Sequence, residues 1–423
     1  MSYMDRVILH SDINACYASI EQLYDSSLVG KAVAVGGDAE RRHGIILAKS
    51  EEAKRAGVKT GMAIWEAKQR CPQLIVVPPH FERYIYFSRK VQKIYADYTD
   101  RREPFGLDES WLDITGCVRA GSGAKCAEEI RQRVKRELGL TVSVGVSWNK
   151  VFAKLGSDYK KPDAVTVIGR DNWREIVWPL PVDSLLYVGR ATERRLRGMG
   201  VRTIGDLAAM NRSWLRSSFG RHGETMYDYA NGLDGSIVLR EGEYPAAKSV
   251  GNGTTTPRDM RSRADAMPVI VSLCESVGAR LHKIHARALT VTLELRDARD
   301  LSWISRCATL ERPTDCVREL IDVSLALLDA SHCWPQPLRS LSVRAERLFF
   351  SADEQMDVFT DFNRLDRQRR LDAAIDSLRA RFGTGAVVRG AVFADPDMAL
   401  PLAQEEYTFV RKPYEGLDSA ADM

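Results

Sequence analysis

The sequence lacks several features that would assign its 423 residues to a specialised class. It contains no C-x-x-C motif, which argues against a zinc site, and in a chain this long the even number of eight cysteines does not argue for disulfides. It contains no apolar run near the ~20 residues of a membrane span, and no basic-then-apolar signal opens it. We therefore expect a soluble, cytoplasmic protein with free thiols.

A large net charge is also absent. The formal net charge is only +4, which permits nucleic-acid binding without requiring it. Hydrophobic residues make up 44% of the chain, which is enough for globular folding. Because 423 residues exceed what one hydrophobic core supports, we expect about two to four domains.

Two acidic signals, Asp12 and the pair Asp108-Glu109, are the most informative feature that is present. Each follows a short apolar stretch, and the first stretch, Val7–His10, reads as a strand followed by a turn at Ser11-Asp12. Taken singly, Asp12 could be a turn residue and the pair a solvated hairpin tip. Taken together at strand ends, where sites tend to lie, they provide the oxygen ligands that two magnesium ions need for phosphoryl transfer.

The pattern of predicted elements separates the chain into regions. Up to residue 168, strands and helices mix as in an α+β core, and Asn14 is the candidate cap of the first helix. From Trp173 to about Leu233 only short helices are predicted. There the run 188-VGRATERRLRGMGVRTIGDLA-208 has the glycine turns and helices of a helix-hairpin-helix, whose amides can bind phosphate. An ordinary solvated helical hairpin is the alternative.

A second α+β unit is predicted after a polar linker over residues 234–246. Strands beginning at Ser249 and spanning 288–295, 301–305 and 338–348 combine with helices over 264–285 and 314–328, in the βαββαβ order of a ferredoxin-like unit. A charged helix is predicted over Arg364–Phe382, and the acidic tail after Ala394 is predicted to be poorly ordered.

Several of these segments resemble the motifs of the Y-family of translesion DNA polymerases. They are 9-LHSDINACYASIEQ-22, 103-EPFGLDESWLDITG-116, 145-GVSWNKVFAKLGSDYKKPD-163, the helix-hairpin-helix and 248-KSVGNGTTTPRD-259, and the resemblance covers about residues 6–382. It implies template-directed, low-fidelity DNA synthesis past lesions, by two-metal nucleotidyl transfer.

The resemblance also implies an α+β multidomain fold, the right-hand polymerase. Its parts would be a ferredoxin-like palm with small fingers at 1–170, a helical thumb with the helix-hairpin-helix at 171–234, a linker at 235–246 and a βαββαβ little-finger domain at 247–350. Residues 351–423 would hold a clamp-binding segment, the charged helix and a tail.

A two-metal site is the main chemical implication of the resemblance. Asp12, Asp108 and Glu109 are the expected catalytic residues, and they would hold two Mg²⁺ ions together with the backbone carbonyl of Ile13. One ion would lower the pKa of the primer 3′-hydroxyl, and the other would bridge the triphosphate. Tyr17 is the expected steric gate, a ring that clashes with the 2′-hydroxyl of a ribonucleotide. From the residues alone, a core aromatic of the first helix is the better interpretation of Tyr17.

Substrate contacts are implied as well, with some departures from the family's usual residues. The expected contacts are Cys16, Lys54 and Lys161 at the triphosphate, and Gly189, Arg190 and Lys248 at the DNA. Lys54 lies where many relatives have an arginine, so it keeps the charge but loses the bidentate fork. Glu51 stands where relatives usually have a tyrosine that touches phosphate, and a carboxylate there would repel the triphosphate. Asn14 replaces a frequent aspartate that is not an expected ligand, and Cys16 replaces a frequent bulky aromatic, so the pocket is expected to be roomier.

A last resemblance concerns the short peptide by which proteins bind the bacterial sliding clamp. In such a pentapeptide, apolar side chains fill a pocket of the clamp. The segment that resembles it consists of Gln355, Met356, Asp357, Val358 and Phe359. The expected partners are therefore primer-template DNA, deoxynucleoside triphosphates and the clamp, for a protein that acts as a monomer. Two alternatives stay open: a non-catalytic DNA- and clamp-binding factor that has kept the fold, suggested by Glu51 and Asn14, and a nucleotidyl cyclase, which also uses a carboxylate palm.

Overall fold

The structure, a computed structural model, describes residues 6–37, 44–117, 123–350 and 361–399. These residues form two compact units, an N-terminal unit of residues 6–36 and 46–244 and a C-terminal unit composed mainly of residues 245–399. No helix in the described ranges has both the length and the apolar character needed to cross a bilayer. The pentapeptide predicted at 355–359 lies outside the described residues.

The N-terminal unit combines two sheets with surrounding helices. Its elements in chain order are β1 (Ile8–Ile13), α1 (Cys16–Tyr24), β2 (Val33–Gly36), β3 (Ile46–Lys49), α2 (Glu51–Arg55), α3 (Ile64–Arg70), β4 (Ile75–Val77), α4 (Phe81–Ala96), β5 (Arg102–Pro104), β6 (Glu109–Asp113), α5 (Gly123–Leu138), β7 (Val142–Ser147), α6 (Lys150–Tyr159), β8 (Val165–Val167), α7 (Trp173–Val177), α8 (Arg190–Gly198), α9 (Ile204–Ala208), α10 (Arg212–Phe219) and α11 (Arg221–Ala230).

The larger sheet of this unit positions the acidic residues. It has the strand order β5-β6-β1-β7-β8, and the smaller sheet has the order β3-β2-β4. β1 lies in the middle, antiparallel to both β6 and β7. Its side chains are buried on both faces: Ile8 packs with Trp111 on one face, and Leu9 joins the main core of the unit on the other. A strand covered on both faces explains why the apolar run is continuous rather than alternating.

The first strand extends further than the sequence indicated. Ladder pairing continues to Asp12 with β6 and to Ile13 with β7, so the predicted turn at Ser11-Asp12 is wrong. The reason is that partners for the backbone exist on both sides of β1 as far as Ile13, and paired backbone is favoured over an early turn. The chain turns at Ala15 instead, which has a φ of 47°.

Asn14 holds a neighbouring loop instead of capping the first helix. The N-cap of α1 is Ala15, without a side-chain bond, so the predicted cap is wrong. The Asn14 Nδ2 donates to Ser143 Oγ at 2.9 Å, and Asn14 Oδ1 accepts from the Asp163 amide at 2.7 Å. The amide side chain is taken by these tertiary contacts, and it anchors the loop that carries Lys161.

The region after β8 is helical, as predicted. Helices α7 to α11 enclose a separate apolar core that includes Trp173, Leu196, Ile204 and Leu215. The helix-hairpin-helix corresponds to α8 and α9. Thr203 caps α9 in a capping box with Asp206, which accounts for the sharp start of that helix.

The C-terminal unit has the predicted βαββαβ order, followed by one further helix. Its elements are β9 (Ser249–Met260), α12 (Arg263–Lys283), β10 (Arg287–Asp297), β11 (Trp303–Thr314), α13 (Val317–Ser331), β12 (Leu338–Phe349) and α14 (Phe362–Phe382). The antiparallel sheet has the order β11-β10-β12-β9. Helices α12 and α13 bury their apolar side chains in the core of this unit.

Two predictions for the C-terminal unit need correction. The strand predicted over 301–305 runs to Thr314, because pairing with β10 continues to the pair Ala288 and Thr314, and the following helix therefore starts at Val317. The tail predicted to be poorly ordered after Ala394 is packed as far as residue 399, since Met398 is 1% exposed and belongs to the core.

Candidate active site

The register between β1 and β6 brings the predicted acidic residues together. Asp12 lies directly opposite Glu109 in the antiparallel ladder, and the Ile13 amide donates to the Asp108 carbonyl oxygen at 2.8 Å. Directly opposed side chains share one face, with Cβ atoms ~5 Å apart. Asp108 belongs to the same cluster, because the charges of Asp12 and Glu109 both act on its carboxyl group.

Two lysines are paired with these carboxylates. Lys161 Nζ is 2.8 Å from Asp12 Oδ2 and also 2.8 Å from Asp158 Oδ1. Lys154, on α6, forms an ion pair with Glu109. Positive charge therefore reaches the acidic cluster from α6 and from the loop that follows it. Lys161 was predicted from the sequence, whereas Lys154 was not, because its position depends on the packing of α6 against the sheet.

A buried histidine lies beneath Glu109. His10 is fully buried, with its Nε2 3.3 Å from Glu109 Oε2 and its Nδ1 2.8 Å from Ser157 Oγ. Burial lowers the pKa of His10 despite the neighbouring carboxylates. His10 was not predicted as a site residue, although the sequence contains a signal for it: His10 and Asp12 are two residues apart on one strand and must share a face.

The carboxyl groups of the cluster differ in their affinity for a proton. Burial, together with the charges of Asp12 and Glu109, raises the pKa of Asp108 to about 6. Burial alone would raise the pKa of Glu109 as well, but His10 and Lys154 bring it down to about 2. Burial also raises the pKa of Asp12. The ionised form of Asp108 is therefore the one that additional positive charge would stabilise most.

The donor set fits a divalent cation. Asp12, Asp108 and Glu109 present carboxylate oxygens, which are the ligands that Mg²⁺ prefers. No ready-made group of three acidic, histidine or cysteine side chains for a metal is found in the ranges that the structure describes, and Asp12 and Glu109 point to their lysines. A cation here would compete with those ammonium groups for the same oxygens and would relieve the repulsion that raises the pKa of Asp108.

Tyr17, the predicted steric gate, is half-buried beside the carboxylates. Its ring stacks on that of Tyr84, with centroids 4.2 Å apart and an angle of 7° between the planes. Burial, with a contribution from the Asp108 charge, raises the pKa of Tyr17 to about 12. The ring thus has the core on one side and the acidic cluster nearby.

Cys16, predicted at the triphosphate, has its thiol in the core. The residue is 4% exposed. Burial, with the charges of Asp108 and Asp12, raises the pKa of the Cys16 thiol well above its ordinary value. The thiol therefore stays neutral and lies close to the acidic cluster, with the side chain buried away from solvent.

Two lysines, Lys49 at the end of β3 and Lys54 on α2, lie near Lys161 in the loop after α6. Lys54 Nζ is 3.6 Å from Glu51 Oε1, and Lys49 Nζ donates to Thr60 Oγ1 at 3.2 Å. Burial lowers the pKa of Lys49, and the charges of Lys54 and Lys161 lower it further. The Lys49 ammonium group is therefore repelled by those of Lys54 and Lys161, and such a concentration of positive charge attracts a polyanion. Lys54 and Lys161 were predicted from the sequence, whereas Lys49, the last residue of β3, was not.

A cleft of about 690 Å³ lies between α6 and the segment that precedes α8. Its lining includes Lys154, Tyr159, Tyr187 and Gly189. Gly189 is the N-cap of α8, and the exposed Arg190 is its first residue. The cleft therefore extends from the lysine that binds Glu109 to the helix N-terminus predicted to contact DNA. Lys248, the third predicted DNA contact, is exposed and lies in the C-terminal unit.

Comparison with known proteins identifies the family. The family described as impB/mucB/samB matches residues 11–158, its C-terminal domain matches residues 247–358, and the DNA polymerase-iota thumb domain matches residues 184–234. A DNA polymerase IV of Acetivibrio thermocellus is 45% identical over 394 residues, which are 93% of this chain and 98% of the relative. DNA polymerase IV 1 of Bacillus subtilis is 36% identical over 388 residues, which are 91% of this chain and 93% of the relative.

A solved structure shares the fold. The Y-family DNA polymerase chimera of Dbh and Dpo4 matches 82% of this chain and 100% of its own, with a TM-score of 0.70 and 23% identity. None of these relatives is named as a nucleotidyl cyclase or as a non-catalytic factor. The nucleotidyl transfer of this family requires a metal. Similarity over nearly the whole chain, together with the gathered carboxylates, shows that the chain belongs to the Y-family of translesion DNA polymerases and is a DNA-directed DNA polymerase of the polymerase IV type.

Proposed function

We propose that Asp12, Asp108 and Glu109, with the backbone carbonyl of Ile13, hold two Mg²⁺ ions at which this polymerase extends a primer. The main support for this proposal is the strand register, which sets Asp12 opposite Glu109. Asp108 belongs to the same cluster, and its pKa is raised to about 6. When bound, two such ions would stabilise the charge that develops on the attacking and leaving oxygens and would lower the pKa of the primer 3′-hydroxyl. The chain itself contributes the position of Glu109, whose Oε2 lies 3.3 Å from Nε2 of the buried His10.

The triphosphate is bound by the lysine cluster. Lys49 is acted on by the positive charges of both Lys54 and Lys161, which supports a common anionic ligand for the three residues. Backbone groups at Cys16, near the start of α1, complete this site. Because Lys161 also contacts Asp12, the same residue links the phosphate site to the metal site.

Tyr17 selects deoxynucleotides in this proposal. A half-buried aromatic ring near the Asp108 carboxylate supports a role next to the sugar of the incoming nucleotide. The ring excludes a 2′-hydroxyl by occupying the volume that this group needs. The alternative is that Tyr17 is only a core aromatic residue. That interpretation explains the stacking on Tyr84 but not why Tyr17 is partly exposed.

Primer-template DNA is bound by both units. We assign palm and fingers to residues 1–170, the thumb to 171–234 and the little finger to 247–350, joined by the linker at 235–246. Amides at the start of α8, with Gly189 and Arg190, bind a backbone phosphate, and their position beside the cleft next to Lys154 supports this role. Lys248 adds a contact from the C-terminal unit.

A primer-extension assay tests the metal ligands. The double variant Asp108→Ala/Glu109→Ala should lose at least about a thousandfold in rate, because metal-based charge stabilisation supplies several kcal/mol to the barrier. The matched control is Asp171→Ala/Glu175→Ala, which removes the same charge from two exposed positions of the N-terminal unit. Extension by the first variant at the rate of the control would reject the assignment.

The sliding clamp binds the pentapeptide 355–359 in this proposal. The residue types support it, since Gln355 can bond to the rim of a pocket that Met356, Val358 and Phe359 fill. Gln355→Ala/Phe359→Ala should abolish the stimulation of synthesis by added clamp, whereas Ser351→Ala/Thr360→Ala, outside the pentapeptide, should retain it. Loss of synthesis without clamp in the first variant would argue against a clamp-specific role.

The enzyme is proposed to act as a cytoplasmic monomer. All eight cysteines are free, which fits a reducing compartment. Sedimentation at micromolar concentration tests the monomer, and a dimer in the absence of DNA would contradict it.

A further inference from the structure

The ring of Tyr17 rests on a second tyrosine that sequence analysis did not identify. Tyr84, on α4, is fully buried and lies nearly parallel to Tyr17, with ring centroids 4.2 Å apart. Phe81, also on α4, meets Tyr17 and Tyr84 edge-on at centroid distances of 6.0 Å and 5.7 Å. The plane of Tyr17 is therefore determined by α4.

A buried carboxylate fixes the hydroxyl group of Tyr84. Tyr84 Oη donates to Glu21 Oε1 at 2.7 Å and accepts from the His80 amide at 3.1 Å. The Glu21 side chain is only 5% exposed and is also contacted by His80 Nδ1 at 3.0 Å and by an Arg83 guanidinium nitrogen at 2.8 Å. Glu21 lies one turn after Tyr17 on α1. The helix that carries the gate therefore also carries the group that holds the ring beneath it.

A polar network at this position is costly compared with an apolar core. Burying a carboxylate is unfavourable, and pairing with Arg83 offsets that cost without turning it into a clear gain. Apolar side chains of the same total volume would fill the space without the cost of burying a charge. What a satisfied network adds is a single geometry, because a ring held by stacking and by its hydroxyl group has one orientation. That property matters for a gate, whose discrimination depends on the position of a rigid surface.

We propose that Glu21 and Tyr84 are positioning residues for sugar selection. This proposal rests on the proposed role of Tyr17 as the steric gate. Glu21 holds the Tyr84 hydroxyl group, and the Tyr84 ring holds the plane of Tyr17 against the space of the 2′-hydroxyl. A gate that can retreat by a fraction of an ångström admits the ribose, and misplacements of about 1 Å near a reacting centre can cost a hundredfold. Neither Glu21 nor Tyr84 touches the nucleotide in this scheme.

Simple core packing is the competing explanation for the aromatic group, and the two explanations differ in one observable. A packing defect lowers the efficiency with both kinds of nucleotide, and their ratio stays constant. Loss of positioning raises ribonucleotide efficiency relative to deoxynucleotide efficiency, and the ratio falls.

Single-nucleotide primer extension measures this ratio as kcat/KM for a matched deoxynucleotide over that for its ribonucleotide. Tyr84→Phe removes the hydroxyl group but keeps the ring, and it should lower the ratio about fivefold, which corresponds to ~1 kcal/mol at 1.4 kcal/mol per tenfold. Glu21→Gln, which keeps an acceptor for Tyr84 but removes the ion pair with Arg83, should lower it in the same direction. Tyr86→Phe is the control, because this hydroxyl group is on the same helix and exposed.

A third arm separates this proposal from the gate itself. Tyr17→Ala should lower the ratio by about a hundredfold or more, and retained selectivity there rejects the gate. A normal ratio in both Tyr84→Phe and Glu21→Gln, combined with lost selectivity in Tyr17→Ala, overturns the positioning role and leaves the gate intact. Thermal unfolding of each variant identifies misfolding, and if Glu21→Gln unfolds, Tyr84→Phe alone decides.

Discussion

Lys161 Nζ lies 2.8 Å from Asp12 Oδ2, so a lysine assigned to the triphosphate is bound to a carboxylate assigned to the metal. Burial opposes the charge on Lys161, but Asp12 and Asp158 outweigh it and raise the pKa of the ammonium group. Lys161 is therefore charged at any pH at which the enzyme works. Its positive charge therefore acts on both the proposed metal site and the proposed triphosphate site.

Lys161→Met should weaken nucleotide binding. The variant removes one of three lysine charges near the expected triphosphate, and at an effective dielectric constant of about 20 one such charge is worth a few kcal/mol at 4 Å. We expect KM for the deoxynucleotide to rise about 10-fold or more. Steady-state primer extension measures it, with the exposed neighbour Lys160→Met as the charge-matched control. Equal effects of the two substitutions would contradict a specific role for Lys161.

Glu51→Gln should strengthen nucleotide binding. Glu51 is 3.6 Å from Lys54, and both side chains are substantially exposed, at 30% and 52%. Exposed pairs are worth ~1 kcal/mol or less, so freeing Lys54 and removing a negative charge should lower KM by about two- to fivefold. Glu52→Gln, the adjacent residue of α2, is the control for a general charge effect. A rise in KM in the Glu51 variant would show that this carboxylate helps to position Lys54.

The long elements of the fold could be predicted from the sequence, whereas the shortest strands could not. Helices such as α12 and α14 show periodicity over five or more turns, and their predicted bounds differ from the observed ones by at most two residues. β4 and β5 have three residues each, too few to display an alternation, and both were missed. The bounds of β1 were missed because they depend on partners that are about 100 residues away in sequence.

The candidate site was predictable only in part, for a similar reason. Asp12, Asp108 and Glu109 were found because acidic residues beside apolar runs are visible in the sequence. Lys154 and Glu21 were missed, although both lie within the segments that resemble the family's motifs. Their contacts join residues 45 and 63 positions apart, and only the packing of α6 and α4 brings those residues together.

Asp108→Asn should stabilise the metal-free protein while abolishing synthesis. In the folded state burial and two carboxylates raise the pKa of Asp108 from 3.8 to about 6. The folded form thus holds the proton more tightly, and stability falls as pH rises from 3.8 to about 6 and remains reduced above it. Each pKa unit is worth about 1.4 kcal/mol, so the penalty at pH 7.5 is at most about 3 kcal/mol.

Thermal unfolding in EDTA at pH 7.5 measures this effect for Asp108→Asn. We expect Tm of the N-terminal unit to rise by about 3–6 °C, after allowance for solvent near the carboxyl group. Added Mg²⁺ should raise Tm of the wild type, since a ligand of the folded state stabilises it, and should do so less in the variant. Asp171→Asn, at an exposed position, is the control. A lower Tm for Asp108→Asn in EDTA would show that this carboxylate is needed for folding.

His282 should make the stability of the C-terminal unit depend on pH. Two groups contact His282: Asp376 Oδ2 is 2.6 Å from His282 Nδ1, and the Asp315 carbonyl oxygen lies near Nε2. Burial lowers the pKa of His282, but these two contacts outweigh burial and raise the pKa above 6.5. Because the folded-state pKa is raised, the stabilisation is complete below pH 6.5 and is lost as pH rises through the folded-state pKa. This contact also joins α12 to α14, so its loss weakens the attachment of α14.

Asp376→Asn tests this pH dependence. Between pH 6 and pH 9, Tm of the C-terminal unit should fall by about 2–4 °C more in the wild type than in the variant, for a partly buried pair worth ~1 kcal/mol. His285→Asn is the matched control, because His285 is exposed and has a φ of 52°, a backbone conformation that asparagine tolerates. The control should reproduce the pH profile of the wild type. An identical profile in wild type and Asp376→Asn would mean that the His282–Asp376 pair contributes nothing that titrates in this range.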